Sequence, residues 1–81
     1  MDTAIQKKLA KRLRELRDQQ GLTQERLAEL SGVDYKHIQL LESQNAPAAK
    51  LDTIEKLAKA FKINPSKLIE FRQKSKQLSK S

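Results

Sequence analysis

The stretch Thr23-Gln24-Glu25-Arg26-Leu27-Ala28-Glu29-Leu30-Ser31-Gly32-Val33-Asp34-Tyr35-Lys36-His37-Ile38-Gln39-Leu40-Leu41-Glu42-Ser43 decides the fold. Thr23 can accept a hydrogen bond from an amide two or three residues on and so cap a helix, a contact worth about 1 kcal/mol. That helix has only two turns before Ser31-Gly32, where a glycine can take the positive φ that ends it. Asp34 is a good cap for the next helix, predicted from Tyr35 to about Ser43 with Ile38 and Leu41 facing inward. Ala28 is small enough for the two helices to cross closely. Leu27, Val33, Ile38 and Leu41 would lock the pair together and onto a further helix. Two short helices joined by a tight glycine-containing turn make a helix-turn-helix, here over about 23–43.

Working outward, Ile5, Leu9, Leu13 and Leu16 recur at spacings of four, four and three, one stripe of a first helix that Gly21 terminates. After Ser43, the segment 44–49 contains Asn45 and Pro47, shows no periodicity and reads as a loop. A fourth helix carries Ile54, Leu57, Ala58 and Phe61, with Asp52 and Glu55 in its first turn, where the helix dipole favours negative charge. Asn64-Pro65 is a cap followed by a first-turn proline, opening a fifth helix over about 65–71 with Leu68, Ile69 and Phe71. Residues 72–81 hold one apolar side chain, Leu78, and read as a basic, flexible tail. The expectation is an all-α, five-helix domain over 1–71.

Eighty-one residues support one core and not two. The chain has no Cys, which excludes disulfides, Cys-based zinc sites and thiol catalysis. His37 is the single histidine, on what reads as an exposed helical face, and has no second residue with which to hold a metal. No Ser-His-Asp set, paired carboxylates or glycine-rich phosphate loop emerges, so neither an enzyme nor a cofactor is expected. No apolar run approaches the roughly 20 residues that span a bilayer, and the start carries no secretory core. A cytoplasmic protein without membrane or small-molecule partners is therefore expected. The net charge of +7 points to an anionic partner such as nucleic acid. It is unevenly spread: +3 over 1–20, −2 over 21–45, +2 over 46–71 and +4 over 72–81. Attraction to phosphate should thus come from the first helix, the region of Lys50 and the tail, while the helix-turn-helix supplies selectivity.

The order and spacing of Leu13-Arg14-x-Leu16-Arg17, Gly21-Leu22-Thr23-Gln24-Glu25-x-Leu27-Ala28, Gly32-Val33, Ile38-x-x-Leu41-Glu42 and Leu57-Ala58-Lys59-Ala60-Phe61 resemble the lambda-repressor-like helix-turn-helix domains of phage repressors, Cro proteins and the Xre regulators. The resemblance implies a five-helix lambda-repressor-like bundle. It implies a bacterial or phage-encoded transcriptional regulator that binds double-stranded DNA at a palindromic operator as a homodimer, with the third helix in the major groove. On that register Tyr35, Lys36, Gln39 and Leu40 would contact bases, and His37 could join them. Gln24 would contact phosphate, as would Thr23, Asn45 and Lys50. Arg17 and Glu42 would form a structural ion pair. Leu68, Ile69 and Phe71 would meet the partner subunit. Many relatives carry a glycine shortly after the glutamate; here Ser43-Gln44-Asn45 follows Glu42, and Asn45 is expected to supply a left-handed turn. The alternative is an antitoxin-like or adaptor module whose main partner is another protein.

Overall fold

Leu9, Ala10, Leu13 and Leu16 line the buried side of α1 (Ala4–Gln20), and everything else in the domain is organised against that stripe. The computed structural model describes residues 4–71, and within them it contains five helices and no strand: α1, α2 (Gln24–Ser31), α3 (Tyr35–Leu41), α4 (Leu51–Phe61) and α5 (Pro65–Leu68). The 72–81 tail lies outside the described residues. Ile5, expected on the stripe, is 62% exposed, because the core ends at Leu9, one turn farther along.

The ends of the helices follow the sequence signals closely. At the end of α1, Gly21 sits at φ 67°, with the Leu22 amide donating to the Arg17 carbonyl at 2.8 Å, the bond that satisfies an orphan carbonyl at a left-handed terminus. Thr23 Oγ1 accepts from the Arg26 amide at 3.0 Å and opens α2. Gly32 closes α2 at φ 77°, its amide donating to the Ala28 carbonyl at 2.9 Å. A Cβ at Gly32 would meet nothing within 4 Å, so the glycine is required by its φ and not by crowding. Asp34 Oδ2 then accepts from the Lys36 amide at 3.1 Å to open α3.

Leu27, Val33, Ile38 and Leu41 join the α1 stripe in one core with Ile54, Leu57, Ala58, Ala60, Phe61 and Leu68; Ala28, half-buried, packs against it where α2 and α3 meet. Asp52, but not Glu55, falls in the first turn of α4. That helix closes without a glycine, at Lys62, which adopts φ 63°.

Three expectations change. Helix α3 stops at Leu41, because the side chain of Glu42 is drawn back toward α1. Asn45 does not supply a left-handed turn; among the described non-glycine residues the positive φ belongs to Lys62, and the backbone leaves α3 by way of Glu42 at φ −93°. Helix α5 is one turn, ending at Leu68. The carbonyls of Lys67 and Leu68 accept from Arg12 Nη2 at 2.8 Å and Arg12 Nε at 3.4 Å, a side-chain cap that substitutes for further helix. The chain then brings Phe71 back against the core.

Candidate nucleic-acid interface

Glu42 is the buried acid at the centre of the helix-turn-helix, with a side chain only 2% exposed. Its Oε2 accepts from Arg17 Nε at 2.7 Å and its Oε1 from Arg17 Nη2 at 2.8 Å, a bidentate pair across α1 and α3. Gln24 Nε2, from the first turn of α2, donates to the same Oε1 at 3.0 Å. Arg17 Nη1 reaches the Leu22 carbonyl at 3.0 Å, and Arg14 Nη1 donates to the Glu42 carbonyl at 2.7 Å. One carboxylate therefore ties three helices together, and the last turn of α3 is held against α1. The hydrogen bond to Glu42 is the largest influence on Arg17, holding its pKa above the ordinary arginine value despite the opposing effect of burial.

With its inner side anchored, α3 presents Tyr35, Lys36, Gln39 and Leu40 to solvent, Tyr35 at 40% and Leu40 at 50% exposure. Gln39 Nε2 donates to Tyr35 Oη at 3.2 Å across one helical turn. His37 is half-buried and not on the exposed face expected for it. It lines a shallow hollow of about 440 Å³ in which Asp34, Lys36 and Leu40 face Thr53 and Lys56 of α4. The turn from α2 into α3 rotates His37 toward α4, which α3's own periodicity does not reveal.

The residues expected at phosphate fall into two groups. Thr23 and Gln24 stand at the start of α2, Thr23 exposed with its oxygen already accepting from Arg26, and Gln24 half-buried against Glu42. Gln24 is thus a structural partner of the Arg17–Glu42 pair, a role the sequence reading missed. Asn45 and Lys50 are exposed in and after the α3–α4 connection, Lys50 preceding α4 without a side-chain capping bond. Lys56 was also missed; its place beside the outer face of α3 depends on how α4 packs.

The basic face of α1 is less available than its charge suggests. Arg12, Arg14 and Arg17 each donate inward, to α5, to the end of α3 and to Glu42. Lys7, Lys8 and Lys11 remain exposed. Among the three residues expected at a partner subunit, Leu68 is fully buried and belongs to this domain's own core, which corrects its assignment. Phe71 is half-buried against that core, while Ile69 is 48% exposed. Leu51, not singled out from sequence, is 87% exposed at the start of α4.

A helix-turn-helix family model matches residues 13–68 of the chain, the span from the buried side of α1 to the end of α5. The chain belongs to the Xre/lambda-repressor-like helix-turn-helix family. It is 43% identical over 56 residues to the HTH-type transcriptional regulator PuuR of Escherichia coli K12, and equally to that of Shigella flexneri. The match takes in 69% of this chain and spans 30% of the length of those relatives. Among solved structures it is similar to the restriction-modification controller protein C.AhdI from Aeromonas hydrophila, with a TM-score of 0.72 and 43% identity over 78% of this chain and 94% of that one. The five-helix reading and the family resemblance both stand on these matches. The relatives are transcriptional regulators. Among the described residues no helix is long and apolar enough to cross a membrane.

Proposed function

We propose that this chain binds double-stranded DNA in a sequence-selective way as a homodimer at a palindromic operator, and thereby regulates transcription. The observation that carries this reading is the anchoring of α3. The Arg17–Glu42–Gln24 network fixes its buried side and leaves Tyr35, Lys36, Gln39 and Leu40 together on its outer face. Those side chains suit the edges of base pairs in the major groove. Lys36 can donate to guanine O6 or N7, Gln39 can pair bidentately with adenine, and Leu40 can pack on a thymine methyl. Thr23, Lys50 and Lys56 flank that face and are suited to phosphate, which positions the reading helix without specifying sequence.

Dimer formation would use exposed apolar side chains that the core leaves over, chiefly Ile69, with Phe71 beside the core and Leu51 at the start of α4. Leu68 supports that surface from beneath. Two copies related by a twofold axis would place their α3 helices about 34–36 Å apart, one turn of duplex. Similarity to a restriction-modification controller and to PuuR favours a regulator over an adaptor that binds only protein. Gel filtration combined with titration of a labelled palindromic duplex tests the proposal. A dimer that prefers the palindrome is expected; a monomer with no sequence preference would support the adaptor reading.

A further inference from the structure

We infer that Tyr35 acts on DNA sequence through Gln39: its hydroxyl holds the Gln39 amide in the orientation that reads adenine and disfavours guanine. This rests on the DNA-reading function proposed above and assigns Tyr35 a positioning role in place of the direct base contact expected from the sequence. The juxtaposition is specific. Tyr35 is the first residue of α3, set by the Asp34 cap, and Gln39 lies one turn on, so the two side chains are neighbours on the exposed face. Gln39 Nε2 donates to Tyr35 Oη at 3.2 Å.

The consequence follows from counting donors and acceptors. A glutamine amide carries two N–H donors and one carbonyl acceptor. With one N–H engaged by Tyr35, one donor and the carbonyl remain. Adenine presents an acceptor, N7, beside a donor, the N6 amino group, and matches that remainder. Guanine presents two acceptors, N7 and O6, and a glutamine would need both of its N–H groups to satisfy them. The tyrosine hydroxyl occupies the second donor and leaves the carbonyl oxygen facing O6. Without it, the amide is free to turn, and the same side chain can serve either purine.

The test is a selection of bound duplexes from a random pool with the full chain, run in parallel for the wild type, Tyr35→Phe and Gln39→Ala, with thermal midpoints recorded alongside. The wild type should enrich adenine over guanine about tenfold or more at one position of each half-site. Gln39→Ala should lose that preference. Tyr35→Phe should enrich the same site, but with the adenine-to-guanine ratio at that position lowered about threefold or more and the other positions unchanged. A Tyr35→Phe ratio equal to that of the wild type overturns the inference while leaving the DNA-binding function intact, as does a Gln39-dependent position that prefers any base but adenine. A wild type that enriches no sequence overturns the proposed function itself. Should Tyr35→Phe fail to fold, the free wild-type protein gives an independent reading by nuclear magnetic resonance. The Gln39 side-chain amide should show two protons dispersed away from the positions of a solvated glutamine; a solvated-type pair would refute the hydrogen bond on which the inference stands.

Discussion

Replacing Glu42 with alanine removes the acceptor of three hydrogen bonds at once: Arg17 Nε at 2.7 Å, Arg17 Nη2 at 2.8 Å and Gln24 Nε2 at 3.0 Å. It also leaves a guanidinium whose side chain is only 15% exposed without its counter-charge. Removing one partner of a buried pair costs about 3–5 kcal/mol, because the remaining charge stays desolvated. Arg17 keeps the Leu22 carbonyl and some solvent, so the lower end applies, about 3 kcal/mol. In a domain of this size each kcal/mol shifts the thermal midpoint by roughly 4–8 °C, which predicts a fall of about 12–24 °C. The assay is thermal unfolding followed by far-ultraviolet circular dichroism at one fixed protein concentration, because dimer formation would make the midpoint concentration-dependent. A fall of less than about 4 °C would refute the reasoning, since it is what a solvent-screened surface pair gives. Replacing both partners together, Arg17→Met with Glu42→Leu, should recover much of the loss, because no charge is left buried alone. The pH dependence has a definite sign. Arg17 has a raised pKa in the folded state, so its contribution is complete below the ordinary arginine range and is lost only as pH rises through the folded value. No stability change traceable to Arg17 is therefore expected between about pH 6 and pH 10.

Further predictions follow from the helix ends and the charge map. Lys62→Gly should raise stability by about 1 kcal/mol, because a lysine at φ 63° bears the left-handed cost that glycine avoids. Gly32→Ala should lower it by about 1–2 kcal/mol for the same reason at φ 77°, although the added methyl has room. Both are read from denaturant midpoints, and a change of the opposite sign at either site would contradict the assignment. Lys50→Ala should weaken DNA binding about equally across sequences and reduce the slope of log affinity against log salt by about 0.9. An unchanged slope would remove Lys50 from the phosphate contacts.

The helix-turn-helix was legible in the sequence because its signals are local. Thr23, Gly32 and Asp34 act on amides and dihedral angles within a few residues of themselves, and the structure finds each in that capacity. The core positions Leu13, Leu27, Ile38, Leu41, Leu57 and Phe61 were likewise set by helical periodicity. What was not legible depended on contacts between distant parts of the chain. Arg12 ends α5 from 55 residues away, and no pattern near Pro65 announces that the helix stops after one turn. The burial of Leu68 follows from the same packing and moves it from a partner surface into the core. Gln24 looked like a free polar side chain because its partner, Glu42, is 18 residues on. His37 read as exposed because α3 alone turns it outward, whereas Thr53 and Lys56 of α4 close over that side. The positive charge of α1 was counted correctly, yet three of its arginines turn out to hold the fold together.

The most direct measurement is a competition titration of the full chain, at one fixed salt concentration, between its best selected duplex and a scrambled duplex of the same length and composition. If an anchored α3 reads bases, the selected duplex should bind about a thousandfold or more tightly than the scrambled one, and the advantage should collapse when Gln39 and Lys36 are both replaced by alanine. Equal affinity for the two duplexes would contradict sequence reading by α3 and leave only electrostatic attraction between a basic chain and phosphate.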